Sequence, residues 1–207
     1  MNKLFFDLET TGISPYSSEV ITGFFQLVNG ENIIDTHTFA SQVSRWSESA
    51  AEIHKISEAS MMQMPSKKVA YDNLCLWLLS LPSYEAIVYA NPNTELGYMH
   101  FDIALLQFEL MNHLCVDDLF SQPLKPTKIT SVHTLAKEAF KDGLFTPIKN
   151  ENNRNSFKQT DVYKALFNDS YNAHDAVDDV NAMIRIYNEL MRLRETGEIT
   201  KNQLSLL

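Results

Sequence analysis

The sequence predicts an α/β domain, a mixed sheet flanked by helices, on two observations. Its first forty residues hold three apolar, β-branched segments, the last two separated by Asn29-Gly30, a strong hairpin signal. From residue 67 onward apolar residues recur at helical spacing instead. Taken in order, residues 3–8 are a short apolar run of alternating character, a buried strand, closed by the turn Thr11-Gly12-Ile13-Ser14-Pro15. Residues 20–28 and 33–39, rich in Val, Ile, Phe and Thr, complete a three-stranded meander. Residues 67–81 carry Val69, Leu74, Leu76, Trp77 and Leu81 ahead of Pro82, which reads as a helix and its stop. Residues 86–89 form a fourth strand, ended by Asn91-Pro92-Asn93. Helices follow over 101–114, 132–140 and 160–167, with the polar stretch 141–155 as a loop. The longest helix runs from Asp175 to about Arg194, its stripe supplied by Val177, Ala182, Met183, Ile186, Tyr187 and Leu190, with Gly197 as the stop.

The 207 residues suffice for one domain with a sizeable core. Seventeen Lys and Arg against 26 Asp and Glu leave a net charge of −9, which argues against a protein that coats nucleic acid through a broad basic face. An enzyme that grips one strand end and gathers acids around metal ions stays compatible with it. Cys75 and Cys115 lie far apart in apolar, helix-like stretches with no CxxC spacing, so both are expected as reduced core thiols. Asp7 and Glu9 interrupt the apolar start before a signal-peptide core can form, and no apolar run approaches the roughly eighteen residues of a membrane span. The expectation is a cytoplasmic protein.

Three acidic clusters carry the chemistry. On a strand, side chains two apart share a face, so Asp7 and Glu9 point the same way. Two like charges at the edge of an apolar sheet repel, and persist at low cost only with cations between them or water over them. A solvated strand end is the ordinary explanation, and the preceding Phe5-Phe6 and following Thr10-Thr11-Gly12 count against it. Asn172-Ala173-His174-Asp175-Ala176-Val177-Asp178-Asp179 crowds three acids and a histidine into a helix start. Capping accounts for Asp175 and Asp178 and leaves His174 and Asp179 without an explanation. Asp102, at the head of the apolar helix 101–114, has helix capping as its default reading.

Together, Asp7-x-Glu9 with its Thr-Thr-Gly, Phe101-Asp102, and His174-x-Ala176-x-x-Asp179 resemble the three motifs of the DEDDh exonucleases. That family includes the proofreading subunit of the bacterial replicative polymerase, ribonuclease T, oligoribonuclease and exonuclease I. The resemblance runs from about residue 5 to 186, and the stretch Ser156-Phe157-Lys158 to Asp179-Val180 is similar to the exonuclease I group in wording and spacing. It departs at the second motif, where Met99-His100 stands in place of the usual Asn or His-Asn, with Asn91 and Asn93 upstream.

The resemblance implies a ribonuclease-H-like fold, a five-stranded mixed sheet with helices on both faces and Asp7 and Glu9 on the central first strand. It implies two divalent ions, Mg²⁺ or Mn²⁺, bridged by Asp7, with Glu9 and Asp179 on one and Asp102 on the other. His174 is then the general base, a task suited to a group of unperturbed pKa about 6.5. Thr10, Thr11 and Gly12 approach the terminal nucleotide through their backbone, with His54 and Phe101 beside it. The implied activity is 3′→5′ hydrolysis of DNA ends, preferring single strands and releasing 5′-mononucleotides. An RNA exonuclease of the ribonuclease T or oligoribonuclease type is the alternative, and a catalytically idle domain that binds nucleic-acid ends or a partner is the alternative of another class. An exonuclease domain is expected over residues 1–197, followed by a tail over 198–207. The tail ends in Gln203, Leu204, Ser205, Leu206 and Leu207, which resemble the short motif that docks bacterial replication proteins on the sliding clamp.

Overall fold

A computed structural model describes residues 1–89, 92–93, 99–115 and 123–198. Strands β1 (Asn2–Thr10), β2 (Val20–Asn29) and β3 (Asn32–Ala40) form the expected meander. Its hairpin turns at Gly30, whose φ of 62° is the left-handed conformation that favours glycine. Two short helices follow, α1 (Glu48–His54) and α2 (Glu58–Met61), then α3 (Lys67–Ser80) and β4 (Tyr84–Val88). A two-residue ladder joins β5 (Pro92–Asn93) to β6 (Met99–His100), and α4 (Phe101–Leu114) starts directly after it. Strand β7 (Ile129–Ser131) leads into α5 (Val132–Lys141), and α6 (Gln159–Phe167) and α7 (Ala176–Thr196) complete the domain.

The main sheet has five strands in the order β3-β2-β1-β4-β7. β1 pairs antiparallel with β2 and parallel with β4, and β4 pairs parallel with β7. The sheet is therefore mixed, with β1 at its centre. The alternation of β1 sorts the helices into two layers. Leu4, Phe6 and Leu8 join the core shared with α3 and α4, which includes Tyr71, Leu74, Ile103 and Leu106. Phe5 points the other way, into the core of α5, α6 and α7, with Ile87, Val180, Met183 and Ile186. Asp7 and Glu9 share the Phe5 face, toward α7.

Where the structure departs from the expected elements, it does so at short ones. α1 and α2 start on Ser47 and Ser57, whose side chains accept from Ala50 N and Ser60 N. β7 has three residues, held to β4 by Ala86 N donating to Lys128 O at 2.8 Å and the register Ala86 to Ile129. Cys115 corrects the expectation of two core thiols. It sits exposed at the left-handed C-cap of α4 (φ 53°), while Cys75 is buried. Among the described residues no helix is long and apolar enough to cross a membrane. Asn91 and residues 199–207, which include the expected docking motif, lie outside the described part.

One ion-pair cluster ties the α3–α4 layer to the sheet. Lys67 Nζ, at the start of α3, lies 2.8 Å from both Glu19 Oε1 and Glu109 Oε2. Both glutamates are buried, and Glu19 also accepts from Ser44 N and Arg45 N, which fixes the loop before α1. Removing the ammonium leaves two buried carboxylates without their shared counter-charge. Lys67→Met is expected to lower unfolding free energy by about 3 kcal/mol. Lys68→Met, which breaks an exposed pair with Asp72, should cost less than about 0.5 kcal/mol. Urea unfolding of the two variants checks this, and equal losses would count against a structural role for the cluster.

Candidate functional site: a carboxylate cluster at the strand ends

Asp7 and Glu9 stand at the carboxyl end of β1, just past residues 2–5, which pair parallel with β4. Ligand sites in open α/β sheets form outside such strand ends. The ladder to β2 slips between Glu9 and Thr10. An irregularity of this kind ends regular pairing and redirects the following residues. From the α7 side, Asp175 caps the helix, its carboxylate accepting from Val177 N and Asp178 N, as the sequence implied. Asp179 stands one turn in, and ligand oxygens of Asp7, Glu9 and Asp179 all lie within 4.8 Å of one another. Asp102, in the first turn of α4, approaches from the other layer. The side chain of Asp102 does not cap the helix, whose N-cap is His100.

The electrostatics follow from this crowding. Asp7 is held well above the usual carboxylate range, first by burial and then by repulsion from Asp102, Asp179 and Glu9. Burial pushes Glu9 up to about 7, with Asp179, Asp175 and Asp102 adding to it. Burial likewise raises Asp102 to about 6. Asp179 is raised by burial too, although hydrogen bonds from Tyr171 and the His174 backbone oppose the shift. Four carboxylates that all resist ionisation are a poor use of a sheet's centre unless a cation neutralises them. Hard divalent cations take clustered carboxylate oxygens, so the donor set fits such an ion.

Asp179 is held by four contacts. Tyr171 Oη donates to Oδ1 at 2.8 Å, and Gln159 Nε2 donates to Oδ1 at 3.2 Å and to the main-chain oxygen at 2.7 Å. The backbone N–H of His174 donates to Oδ2 at 2.8 Å. His174 makes that last bond from a left-handed backbone (φ 66°), a conformation uncommon outside glycine. Neither Tyr171 nor Gln159 stands out in the sequence. A tyrosine in a loop eight residues before an acid has no signature of its own, and only the fold shows what it touches.

The exposed His174 ring stands on a ridge between two cavities. One, of about 890 Å³, reaches Asp179 and Tyr171, and the other, of about 240 Å³, reaches Glu9 and His54. His54 is buried, and its Nδ1 accepts from Ile56 N at 3.1 Å. The proton therefore sits on Nε2, which has no partner among the described residues. Thr11 uses its N–H and its hydroxyl on Glu19, and the Thr10 hydroxyl donates to Gly12 O at 2.7 Å. These contacts shape the loop and leave the N–H of Thr11 committed. A Cβ on Gly12 would stand 3.0 Å from Ser18 Oγ, so the turn is packed tightly there. Phe101 is half-buried at the start of α4, against the first core.

No family model and no curated protein matches the sequence. Solved structures do match. The chain superposes on the zinc-bound complex of E. coli exonuclease I with single-stranded DNA at a TM-score of 0.76 and 18% identity, covering 94% of this chain and 41% of that one. It superposes on E. coli exonuclease I in complex with a dT13 oligonucleotide at 0.74 and 18% identity, covering 95% and 42%. For exonuclease I in its apo form the values are 0.72, 17%, 91% and 41%. The chain thus spans about two fifths of the length of these proteins. At such identity the likeness establishes the fold, the five-stranded mixed sheet with helices on both faces.

Glu9 gives the cluster a measurable pH signature in the metal-free protein. Its pKa rises from 4.5 unfolded to about 7 folded, so folding favours its protonated form. That contribution is complete below pH 4.5 and is lost as pH rises through 7. Chelated wild-type protein should therefore lose about 2 kcal/mol relative to Glu9→Gln between pH 4.5 and 7.5. Denaturant midpoints across this range read it, and a difference that stays constant with pH would contradict the crowding.

Proposed function

We propose that the protein is a metal-dependent 3′→5′ exonuclease of the DEDDh type, acting on single-stranded DNA ends. The observation that carries this is the convergence of Asp7, Glu9 and Asp179 with Asp102, from one strand and two helices, beside an exposed histidine. The likeness to exonuclease I, whose structures include single-stranded DNA, supports the substrate class.

Asp7, which couples electrostatically to the other three, would contribute to holding two divalent cations, with Glu9 and Asp179 as further ligands of one and Asp102 as a ligand of the other. When bound, such ions neutralise charge on the attacking and leaving oxygens of a phosphodiester and activate water. The chain's own residues do the rest. Tyr171, Gln159 and the His174 N–H keep the Asp179 carboxylate in one orientation. A ring nitrogen of His174 takes the proton of the attacking water, and its exposure lets it pass that proton on to solvent. Water attacks the phosphorus, the bond to the 3′ oxygen of the preceding nucleotide breaks, and that oxygen takes a proton from solvent, which balances the one passed on by His174. The products are a 5′-mononucleotide and a strand shorter by one. His54 lines the smaller cavity, and its buried Nε2, without a partner among the described residues, is a donor that a small side-chain movement would bring to the terminal nucleotide.

A 5′-labelled single strand incubated with Mg²⁺ or Mn²⁺ should give a descending ladder that keeps its label, with duplex DNA and RNA as comparison substrates. Asp7→Asn should abolish the ladder without altering the circular dichroism spectrum. His174→Ala should reduce the rate by about 10²–10⁴-fold. Early release of labelled mononucleotide would reverse the polarity, and activity of Asp7→Asn within about tenfold of wild type would remove the assignment.

A further inference from the structure

The larger cavity, of about 890 Å³, begins at Asp179 and His174 and runs away from the carboxylates, along the start of α5 and the segment before α6. Its lining differs from the rest of the molecule in charge. Residues 137–164 carry six Lys and Arg against four Asp and Glu, in a chain of net −9. Lys137 and Lys158 line the cavity, and among the described residues neither forms an ion pair. Aromatic side chains lie between them. Lys137 Nζ is 5.8 Å from the centre of the Phe157 ring, and the His133 ring stands edge-on to both Phe157 and Tyr89. The Tyr89 hydroxyl donates to Phe157 O at 3.0 Å, which fixes this wall to the end of the central sheet.

Cations interleaved with aromatic rings are what a single nucleic-acid strand requires, the cations for its phosphates and the rings for its bases. The position adds direction. The cavity meets the carboxylates at Asp179, and the smaller cavity of about 240 Å³, which shares His174 with it, is bounded by Glu9 and His54. A strand lying in the large cleft therefore presents its last phosphodiester at the ridge, with one residue beyond it.

Resting on the exonuclease reading, we propose that this cleft is the track of the single strand upstream of the scissile bond. Lys137 and Lys158 neutralise its backbone phosphates, and Phe157 offers a stacking surface to a base. The smaller cavity receives the 3′-terminal nucleotide. An exonuclease with an acidic surface thus draws its substrate by a local basic wall and needs no positive overall charge.

The test uses a fluorescein-labelled, twelve-nucleotide thymidine strand with phosphorothioate linkages at its 3′ end, so that binding is read without cleavage. Anisotropy is measured in Mg²⁺ at several salt concentrations for wild type, Lys137→Ala/Lys158→Ala, and Lys68→Ala/Lys128→Ala. The last pair carries the same change of charge but stands away from the cleft, on α3 and at the amino end of β7. The cleft pair should weaken binding about tenfold and reduce the slope of log K against log salt by about 1.4, the share of two phosphate contacts. The remote pair should shift the constant less than about twofold. Unchanged binding in the cleft pair, or equal weakening in both pairs, overturns the proposal. Hydrolysis of the p-nitrophenyl ester of thymidine 5′-phosphate, which has no upstream strand, is followed in parallel. The ratio of oligonucleotide to ester turnover should fall in the cleft pair. If wild type binds the strand yet hydrolyses neither substrate, the exonuclease reading fails while the strand track stands.

Discussion

Repulsion among carboxylates at the end of β1 is the constraint on which the rest of the structure turns. Asp7 and Glu9 share one face of the central strand, and Asp179 meets them within 4.8 Å. Left alone, such a cluster would protonate or move apart. Moving apart is prevented by the packing of the strand. The three apolar residues on the opposite face of β1, Leu4, Phe6 and Leu8, are packed into the α3–α4 core, and Phe5 anchors the near face against α7 with its ring 5.5 Å from that of Tyr187. A strand gripped on both faces cannot swing its acids away, and a one-residue slip would invert every side chain. The core thus holds in place an arrangement that is locally unfavourable, as sites of chemistry commonly are.

The two helical layers contribute unequally. α7 brings Asp179 through the capped turn at Asp175, and two elements grip its carboxylate. These are α6 through Gln159 and the loop before α7 through the Tyr171 hydroxyl and the His174 N–H. α4 brings Asp102 from the opposite layer, where among the described residues a backbone N–H at its own helix start is what its carboxylate accepts from. Asp179 is thus fixed by a network and Asp102 by its place in the first turn of its helix. The ridge that carries His174 divides a large, basic-walled cleft from a small cavity beneath His54.

Much of this was legible in the sequence because the signals were strong and local. The Asn29-Gly30 turn, the alternation of residues 3–8 and the helical stripes of 67–81, 101–114 and 175–194 each follow from short-range stereochemistry, and the structure has those elements within a few residues. The acids were legible as an excess over what capping explains, and the structure gives Asp175 the capping role while drawing Asp179 into the cluster. What was not legible depends on contacts distant in sequence. β7 is three residues long and exists through its register with β4. α1 and α2 are too short to show a period, and only the serines that cap them carry a signal. Cys115 lies at the end of an apolar helix but falls on its exposed, left-handed cap. Tyr171, Gln159 and the basic wall of Lys137 and Lys158 are ordinary residues in polar segments, given meaning by the face they share in the fold.

The central claim, that this carboxylate cluster is a divalent-cation site, is tested most directly by calorimetric titration of the metal-free protein with Mn²⁺. The expected result is saturable binding to the wild type, with the melting temperature rising as the sites fill, and loss of both effects in Asp7→Asn. Absence of saturable heat, with a melting temperature unmoved up to millimolar Mn²⁺, would contradict it.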